Sequence, residues 1–294
     1  MAESGHLKIL LDSLYGEFNT SYLDRDPLEF VKQYDSPEDQ EIVGFIASAL
    51  AIGRVELFRK AVQSILDIMG PSPRKYVEAF DPVRNRSDFT GFVYRFYREQ
   101  DILLLMWWTH QMIQSAGSLE AFFMRDYEKD APHIGPAMSR FVRSIFSLPV
   151  KPVMDTLPSK GSGIRHFLAD PEDGSACKRL NLYLRWMVRQ DHLDAGIWKD
   201  ISPSQLIIPL DTHIARLGKA LGLTSRQSPG WAMAVEITEA LKEYDSNDPV
   251  KYDFALCTVG KLNQCPKHPG QNSCGECPIK GVCLNMGAED IDKK

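Results

Sequence analysis

The chain has 294 residues, 44% of them hydrophobic and 25% charged, and a formal net charge of −5. This length and composition suit a globular protein with a full hydrophobic core, built as one large domain or two smaller ones. The acidic balance argues against a protein that coats nucleic acid with a generally basic surface, but it leaves room for a basic groove on an acidic body.

The sequence shows neither an export signal nor a membrane span. Residues 1–6 lack the charged stretch followed by an apolar stretch that typifies a secretory signal. The longest apolar run, residues 102–108, has seven residues, whereas crossing a bilayer takes about 20. We therefore expect a cytoplasmic monomer with no membrane partner, in a compartment where thiols stay reduced.

Apolar residues recur at three- and four-residue steps along most of the chain, and no stretch alternates in the manner of paired strands. This pattern predicts an all-α fold. Ser36 followed by Pro37 is typical of a helix N-cap and first helical position. Helices are predicted around residues 7–15, directly after Ser36, over 55–69, 89–100, 102–116, 119–125, 136–145 and 175–189, and from residue 212 onwards.

The predicted helix 89–100 carries aromatic residues on one face, which we expect in the core, and Arg95 and Arg98 on the other, which we expect in solvent. Residues 148–175 are instead rich in turn-forming proline and glycine and form a linker or a functional surface. We divide the chain into residues 1–36, a helix and linker packing on the C-terminal lobe, residues 37–200, a helical body with a hairpin-like loop, and residues 201–294, the C-terminal helices and a cysteine-rich loop.

Four cysteines near the C-terminus follow the spacing C-x8-C-x2-C-x5-C: Cys265, Cys274, Cys277 and Cys283. The loop that carries them is rich in proline and glycine and has no helical or strand pattern of its own. Four converging thiolates would hold either a tetrahedral Zn²⁺ or an iron–sulfur cluster. Two disulfides or a chance grouping are the alternatives, and they are disfavoured because tightly spaced cytosolic cysteines are more often metal ligands.

Two further residues stand at predicted helix starts. Asp211 precedes a helix, where a carboxylate accepts first-turn N–H groups, and this capping role is commoner than catalysis. Lys178 lies in the first turn of its helix, where the partial positive charge disfavours an ammonium group. The lysine is either a solvated surface residue, the commoner case, or an amine nucleophile or phosphate contact.

Together these motifs resemble the helix–hairpin–helix (HhH-GPD) DNA glycosylase superfamily, in particular an endonuclease III-like bacterial branch. Residues 210–216 match its [VL]-D-T-H-[VI]-x-R segment. The cysteine spacing matches the last two gaps of its C-x6-C-x2-C-x5-C iron–sulfur loop, with a first gap that is longer by two residues. The resemblance covers residues 174–283 well and residues 39–61 weakly.

The resemblance implies a helical bundle of two lobes and a [4Fe–4S] cluster on Cys265, Cys274, Cys277 and Cys283, with zinc as the alternative. It implies a base-excision repair glycosylase, with possible lyase activity at abasic sites, that acts on a damaged base flipped out of duplex DNA. Asp211 would be the catalytic aspartate and Lys178 the lysine that forms a Schiff base. The residues implied to contact nucleic acid are Arg54, Gly174, Ser175, Arg179 and Arg216.

Two departures favour an alternative function. Residues 171–175 replace the family's L-P-G-V-G hairpin with an acidic segment that has one glycine, and acidic residues weaken a grip on phosphate. The turn at residues 49–54 lacks the glutamine that fills the DNA gap in endonuclease III. The alternative is a non-catalytic iron–sulfur or zinc protein that binds nucleic acid with the same fold.

Overall fold

The structure is a computed structural model that describes residues 2–18, 20–262, 265 and 274–285. These residues form thirteen α-helices and one two-stranded sheet, which confirms the all-α class. The first ten elements are α1 (Ala2–Glu17), α2 (Leu28–Val31), α3 (Pro37–Leu50), α4 (Val55–Met69), α5 (Pro73–Glu78), β1 (Val93–Tyr94), β2 (Tyr97–Arg98), α6 (Glu99–Ala116), α7 (Leu119–Met124) and α8 (Gly135–Ser147). The remaining five are α9 (Gly163–Phe167), α10 (Lys178–Val188), α11 (Thr212–Ala220), α12 (Trp231–Lys242) and α13 (Asp253–Leu262).

Helix α3 lies at the centre of the fold, packed against α2 and α10. It begins as predicted: the Ser36 Oγ accepts a hydrogen bond from the Asp39 N–H at 3.3 Å, and Pro37 occupies the first turn. Phe45 of α3 makes an edge-on contact with Tyr183 of α10, with ring centroids 5.3 Å apart. This contact holds the middle of α10 against the middle of α3, and both rings are buried.

Helix α1 packs on α13 and on the turn that precedes it. Tyr252 of that turn donates a hydrogen bond to Asp12 at 2.8 Å, and Tyr15 donates to Asp191 at 2.9 Å. The first helix therefore contacts the C-terminal part of the chain, while the boundaries at residues 36 and 200 stay predictions. Across the described ranges, no helix has both the length and the apolar character that spanning a bilayer would require.

The predicted helix 89–100 is wrong. Residues 84–89 form a 3₁₀ turn, and residues 93–98 form the β1–β2 hairpin, after which α6 begins at Glu99. Asp101 caps α6 by accepting the Arg98 N–H at 2.8 Å, so the helix cannot extend backwards without losing that bond. In the hairpin, strand alternation splits the predicted aromatic face, with Tyr97 buried and Phe96 52% exposed.

A buried ion network joins α10 to α13. Arg185 lies 3.2 Å from Asp194 and also pairs with Asp253, and these three side chains are almost wholly buried. Arg189 pairs with Asp194 and, at 2.8 Å, with Asp248. Buried charges are tolerated only when they are paired and hydrogen-bonded, so this network sets the spacing of the two helices.

Candidate functional site

A cleft of about 570 Å³ opens where the end of α3 meets the starts of α10 and α11 and one side of α13. Lys178 and Asp211 both line it, so the structure brings together the two residues that the sequence predicts to be catalytic. Ser175 and Arg179 also line it. The other described lining residues with ionisable side chains are Asp26, His166, Cys177, Arg185, His213, Asp253, Cys257 and Lys261.

Asp211 is both a helix cap and a cleft residue. Its Oδ1 accepts hydrogen bonds from the His213 and Ile214 N–H groups at 2.8 and 2.9 Å. Its Oδ2 accepts a longer one from the Cys257 thiol at 3.5 Å. Burial raises the pKa of Asp211, but the Lys178 ammonium and the Ile214 N–H outweigh this effect and leave the pKa below its usual value. The carboxylate is therefore ionised at neutral pH.

Lys178 is the first residue of α10 and is partly exposed. Within the described part of the chain its amine forms no hydrogen bond and no ion pair shorter than 4 Å. The preceding residue, Cys177, has a left-handed backbone with φ of 46°, which is unusual for a residue with a Cβ. Its buried Sγ donates to the Ala169 carbonyl at 3.2 Å, which helps to hold this conformation. The strained turn thus directs the start of α10 to the cleft.

Among the residues of α13 that line the cleft are Cys257 and Lys261, neither of which is among the site residues predicted from the sequence. Burial, reinforced by the Asp211 charge, raises the pKa of Cys257 to about 12, so its thiol stays protonated. Lys261 keeps an exposed surface. Burial of its ammonium lowers its pKa, but the neighbouring Cys257 side chain and the charges of Asp26 and Asp211 outweigh this effect and raise the pKa. Cys257 and Lys261 are four residues apart on one helix, and this spacing is the sequence signal that would have placed both side chains on the same helix face.

Two carboxyl groups of the cleft have opposite pKa shifts. Burial raises the pKa of Asp253 to about 6, although the Arg185 guanidinium opposes this, and Asp211 and Asp26 raise it further. Such divergent environments are typical of sites where one carboxyl group acts as a base. Asp253 forms an ion pair with Arg185, so of these two groups Asp211 is the carboxylate available to a ligand.

The predicted nucleic-acid residues occupy different environments. Arg179 is buried and donates to the Tyr97 hydroxyl at 2.7 Å and the Ala49 carbonyl at 2.5 Å, so we assign it a bracing role instead of a phosphate contact. Arg216 donates to the Cys265 carbonyl at 3.2 Å. Arg54 is exposed at the start of α4 and is not among the described residues that line the cleft.

The hairpin-like loop before α10 is a 3₁₀ turn over Pro171–Asp173. Its N–H groups are used internally: the Glu172 N–H bonds the Asp170 side chain at 2.9 Å, and the Gly174 N–H bonds the Pro171 carbonyl at 2.9 Å. Arg143 pairs with Asp170 and Glu172. We therefore assign no phosphate-binding role to Gly174, because these N–H groups are not available to an anion.

The four C-terminal cysteines form no disulfide, so the alternative of two disulfides does not hold, while the alternative of a chance grouping of thiols stays open. Burial raises the pKa of Cys265, and the charges of Cys277, Cys283 and Cys274 raise it further, so the four groups lie within electrostatic reach. Their chemistry fits an all-thiolate centre. Among the described residues, however, no group of three or more cysteine, histidine or acidic side chains converges closely enough to hold a metal ion.

The segment 274–285 packs on α11, the helix that Asp211 caps. The Leu284 N–H donates to the Ala220 carbonyl at 2.7 Å, and the Ile279 side chain is buried. Arg216 of α11 also donates to the Cys265 carbonyl. The part of the chain that carries the four cysteines, which we call the cysteine segment, is therefore attached at two points to α11, the helix that Asp211 caps. The intervening residues 266–273 lie outside the described residues.

The comparisons with known proteins correct the family assignment. A family model described as a protein of unknown function, DUF2400, matches residues 26–262, whereas no curated protein and no solved structure matches the chain. The resemblance to the helix–hairpin–helix glycosylase superfamily is therefore wrong. Its two motifs are local: a D-T-H segment caps a helix in any fold, and cysteine gaps specify ligands but not a fold. Since the match covers more than half of its length, including Lys178 and Asp211, the chain belongs to the DUF2400 family.

Proposed function

We propose that the protein is a DNA base-excision glycosylase whose cleft receives a nucleotide flipped out of the duplex and whose Asp211 acts on the N-glycosidic bond. One observation carries the proposal: a carboxylate with a lowered pKa shares a cleft with the amine of Lys178, which has no ion-pair partner within 4 Å among the described residues. The proposal rests on this chemistry and not on a family.

The lining of the cleft suits a nucleotide. Its volume lies within the roughly 300–1,000 Å³ typical of small-ligand sites. Lys178 and Lys261 supply positive charge for a phosphate, since neither is neutralised by an ion pair shorter than 4 Å with any described residue. Apolar side chains for contact with a base come from Ile52, Phe58, Leu182 and Phe254.

Asp211 would serve in base removal. As the bond between C1′ and the base nitrogen breaks, the base leaves with the electron pair and positive charge develops on the sugar. An ionised carboxylate beside C1′ stabilises that charge, as in glycoside hydrolysis. Water then forms the new C1′–O bond, and its proton passes to the Asp211 carboxylate, which returns it through solvent to the departed base.

Lys178 would add a lyase step. Its amine, after giving a proton to Asp211, attacks C1′ so that a C–N bond forms as the glycosidic bond breaks. The C1′–O4′ bond then breaks as a proton moves from the lysine nitrogen to O4′, which leaves a protonated Schiff base. The Schiff base acidifies the C2′ proton, and loss of that proton expels the 3′-phosphate. Borohydride reduces the Schiff base to a stable amine, so the protein becomes covalently attached to its DNA.

The test is base release and borohydride trapping across a panel of damaged and abasic duplexes. Asparagine caps helices as well as aspartate does, so Asp211→Asn should keep the fold and lower single-turnover base release by about 10²- to 10⁴-fold. Lys178→Gln should abolish trapping but leave hydrolysis. A folded wild-type protein that releases no base from any duplex of the panel contradicts the proposal.

The alternative is a non-catalytic nucleic-acid-binding protein, and the acidic turn with its internally bonded N–H groups favours it. In that case the wild type and Asp211→Asn should bind DNA equally and neither should release a base. An enzyme predicts a large difference in turnover between the two proteins with little difference in binding.

We further propose that Cys265, Cys274, Cys277 and Cys283 hold a [4Fe–4S] cluster, with a zinc ion as the alternative. The support is the presence of four free thiols in mutual electrostatic reach. The cluster would supply no step of the reaction and would brace segment 274–285 on α11. Purified protein should be brown and absorb near about 400 nm, whereas a zinc protein is colourless; iron, zinc and sulfide analysis decides between them.

A further inference from the structure

The β1–β2 hairpin carries an unusual turn. Arg95 and Phe96 form its two-residue connection, and Arg95 adopts φ of 52°. Two-residue hairpins favour glycine, asparagine or aspartate at such positions because those residues tolerate a left-handed backbone. An arginine held in this strained conformation next to a phenylalanine that is 52% exposed indicates a role for the side chains themselves.

The hairpin is fixed to the end of α3, which forms one wall of the cleft. Tyr97 donates to the Ala49 carbonyl at 2.6 Å, and Tyr94 donates to the Ile52 carbonyl. Gly53, with φ of 95°, lies against the Arg95 guanidinium: a Cβ at Gly53 would approach it to 2.8 Å. The hairpin is thus rigidly placed beside the cleft before any ligand binds.

An aromatic path leads from the hairpin into the cleft. The Phe96 ring lies 4.9 Å from the His166 ring, tilted by 38°. His166 lines the cleft that contains Lys178 and Asp211. The exposed phenylalanine is therefore one ring away from the cleft lining.

The charge around Phe96 is positive. Arg54, Arg95 and Arg98 are exposed, and no described carboxylate lies within 4 Å of their guanidinium groups. A shallow groove of about 450 Å³ runs beside the hairpin, and its one described acidic lining residue, Asp101, accepts the Arg98 and Ile164 N–H groups. The Arg98 guanidinium donates to the Arg95 and Tyr97 carbonyls, which leaves its charge without a carboxylate partner among the described residues. On a chain with net charge −5, such arginines beside an exposed ring complement a polyanion.

From these contacts we infer that the hairpin is a DNA-stacking arm: Phe96 stacks on an unpaired base adjoining the nucleotide in the cleft, and Arg95 and Arg98 contact the flanking phosphates. Stacking on aromatic side chains with nearby arginines is the common mode for unpaired nucleic acid. The inference rests on the proposed function, since it names the strand that enters the cleft as the ligand.

The test uses fluorescence anisotropy to measure binding of fluorescein-labelled duplex DNA in which an abasic nucleotide adjoins one unpaired base. Phe96→Ala should weaken binding roughly 5- to 150-fold, the range for loss of one stacked base, and Phe96→Trp should restore it. Val93→Ala is the matched control, because Val93 is 66% exposed on the same hairpin but outside the cleft lining, and its affinity should stay within twofold. Arg98→Gln should lower the salt dependence of binding by about one phosphate contact.

The outcomes separate the two proposals. If the wild type binds DNA and Phe96→Ala binds it equally well, with an unchanged melting temperature, the stacking role of the hairpin is wrong and the glycosylase proposal stands. If the wild type binds no DNA, the proposed function itself is wrong. Binding of polyglutamate that competes with DNA and depends equally on Phe96 would also overturn the arm, because it would identify an acidic peptide surface.

Discussion

The cleft and the cysteine segment hold their functional groups in different ways. Lys178 and Asp211 stand at the first turns of α10 and α11, whose positions are set by buried rings and ion pairs. The cysteines lie in a segment that is attached to α11 by single hydrogen bonds and that gathers no three ligands at metal distance among the described residues. Packing preorganises the cleft, whereas a thiolate site acquires its shape from what it binds.

The strongest way to break the cleft is to remove a charge from the buried network behind it. Arg185→Met leaves Asp253 buried without its cation and leaves Asp194 with Arg189 alone. We expect the free energy of unfolding to fall by about 3–5 kcal/mol in urea denaturation. Arg143→Gln is the control, since its guanidinium is exposed and solvent screens its pairs with Asp170 and Glu172, so the loss should be much smaller. Equal losses would show that the network does not set the helix spacing.

Loss of the proposed iron–sulfur cluster should affect the cysteine segment and spare the cleft. Cys277→Ser should remove iron and lower the melting temperature by several degrees, about 2–4 °C for each kcal/mol lost. Far-ultraviolet circular dichroism should keep its helical signal because the described helices precede the segment. Lys280→Gln, in the same segment but without a ligand atom, should change neither metal content nor melting temperature. Unfolding of the whole chain on metal removal would show that the segment and the cleft form one unit.

The two roles of Asp211 can be separated by substitution. Asp211→Ala removes the acceptor for the His213 and Ile214 N–H groups and should cost about 0.5–2 kcal/mol of stability. Asp211→Asn should cost little stability while removing the negative charge. Urea denaturation of both variants, beside their base-release rates, shows whether the charge or the cap matters to function. Equal destabilisation by both would mean that the charge itself stabilises the fold.

The smallest expected effect is the pH dependence of the stability difference between the wild type and Asp211→Asn. The folded pKa of Asp211 is lowered, so its carboxylate contributes stability above the unfolded pKa of about 3.9 and loses it as pH falls through the folded pKa. The stability difference between wild type and Asp211→Asn should be constant from pH 5 to 7 and shrink toward zero below about pH 4. A difference that grows on acidification would contradict the direction of the shift.

Local sequence determined most of the helical framework. The spacing of Phe58, Val62, Ile65 and Leu66 predicted α4 over the same residues that the structure shows, because an amphipathic helix repeats its apolar face every three to four residues. Ser36 and Pro37 located the start of α3 for an equally local reason, since they serve the backbone groups of one helical turn.

Tertiary structure decided the rest. Strong aromatic periodicity over residues 89–100 became a hairpin because Tyr97 and Arg179 bond the distant end of α3. Asp26, Cys257 and Lys261 line the same cleft as Asp211 although each lies far from Asp211 along the chain. Periodicity encodes which face of an element is buried, but contacts between elements depend on packing across the whole core, so only the folded chain could bring these charges to one cleft.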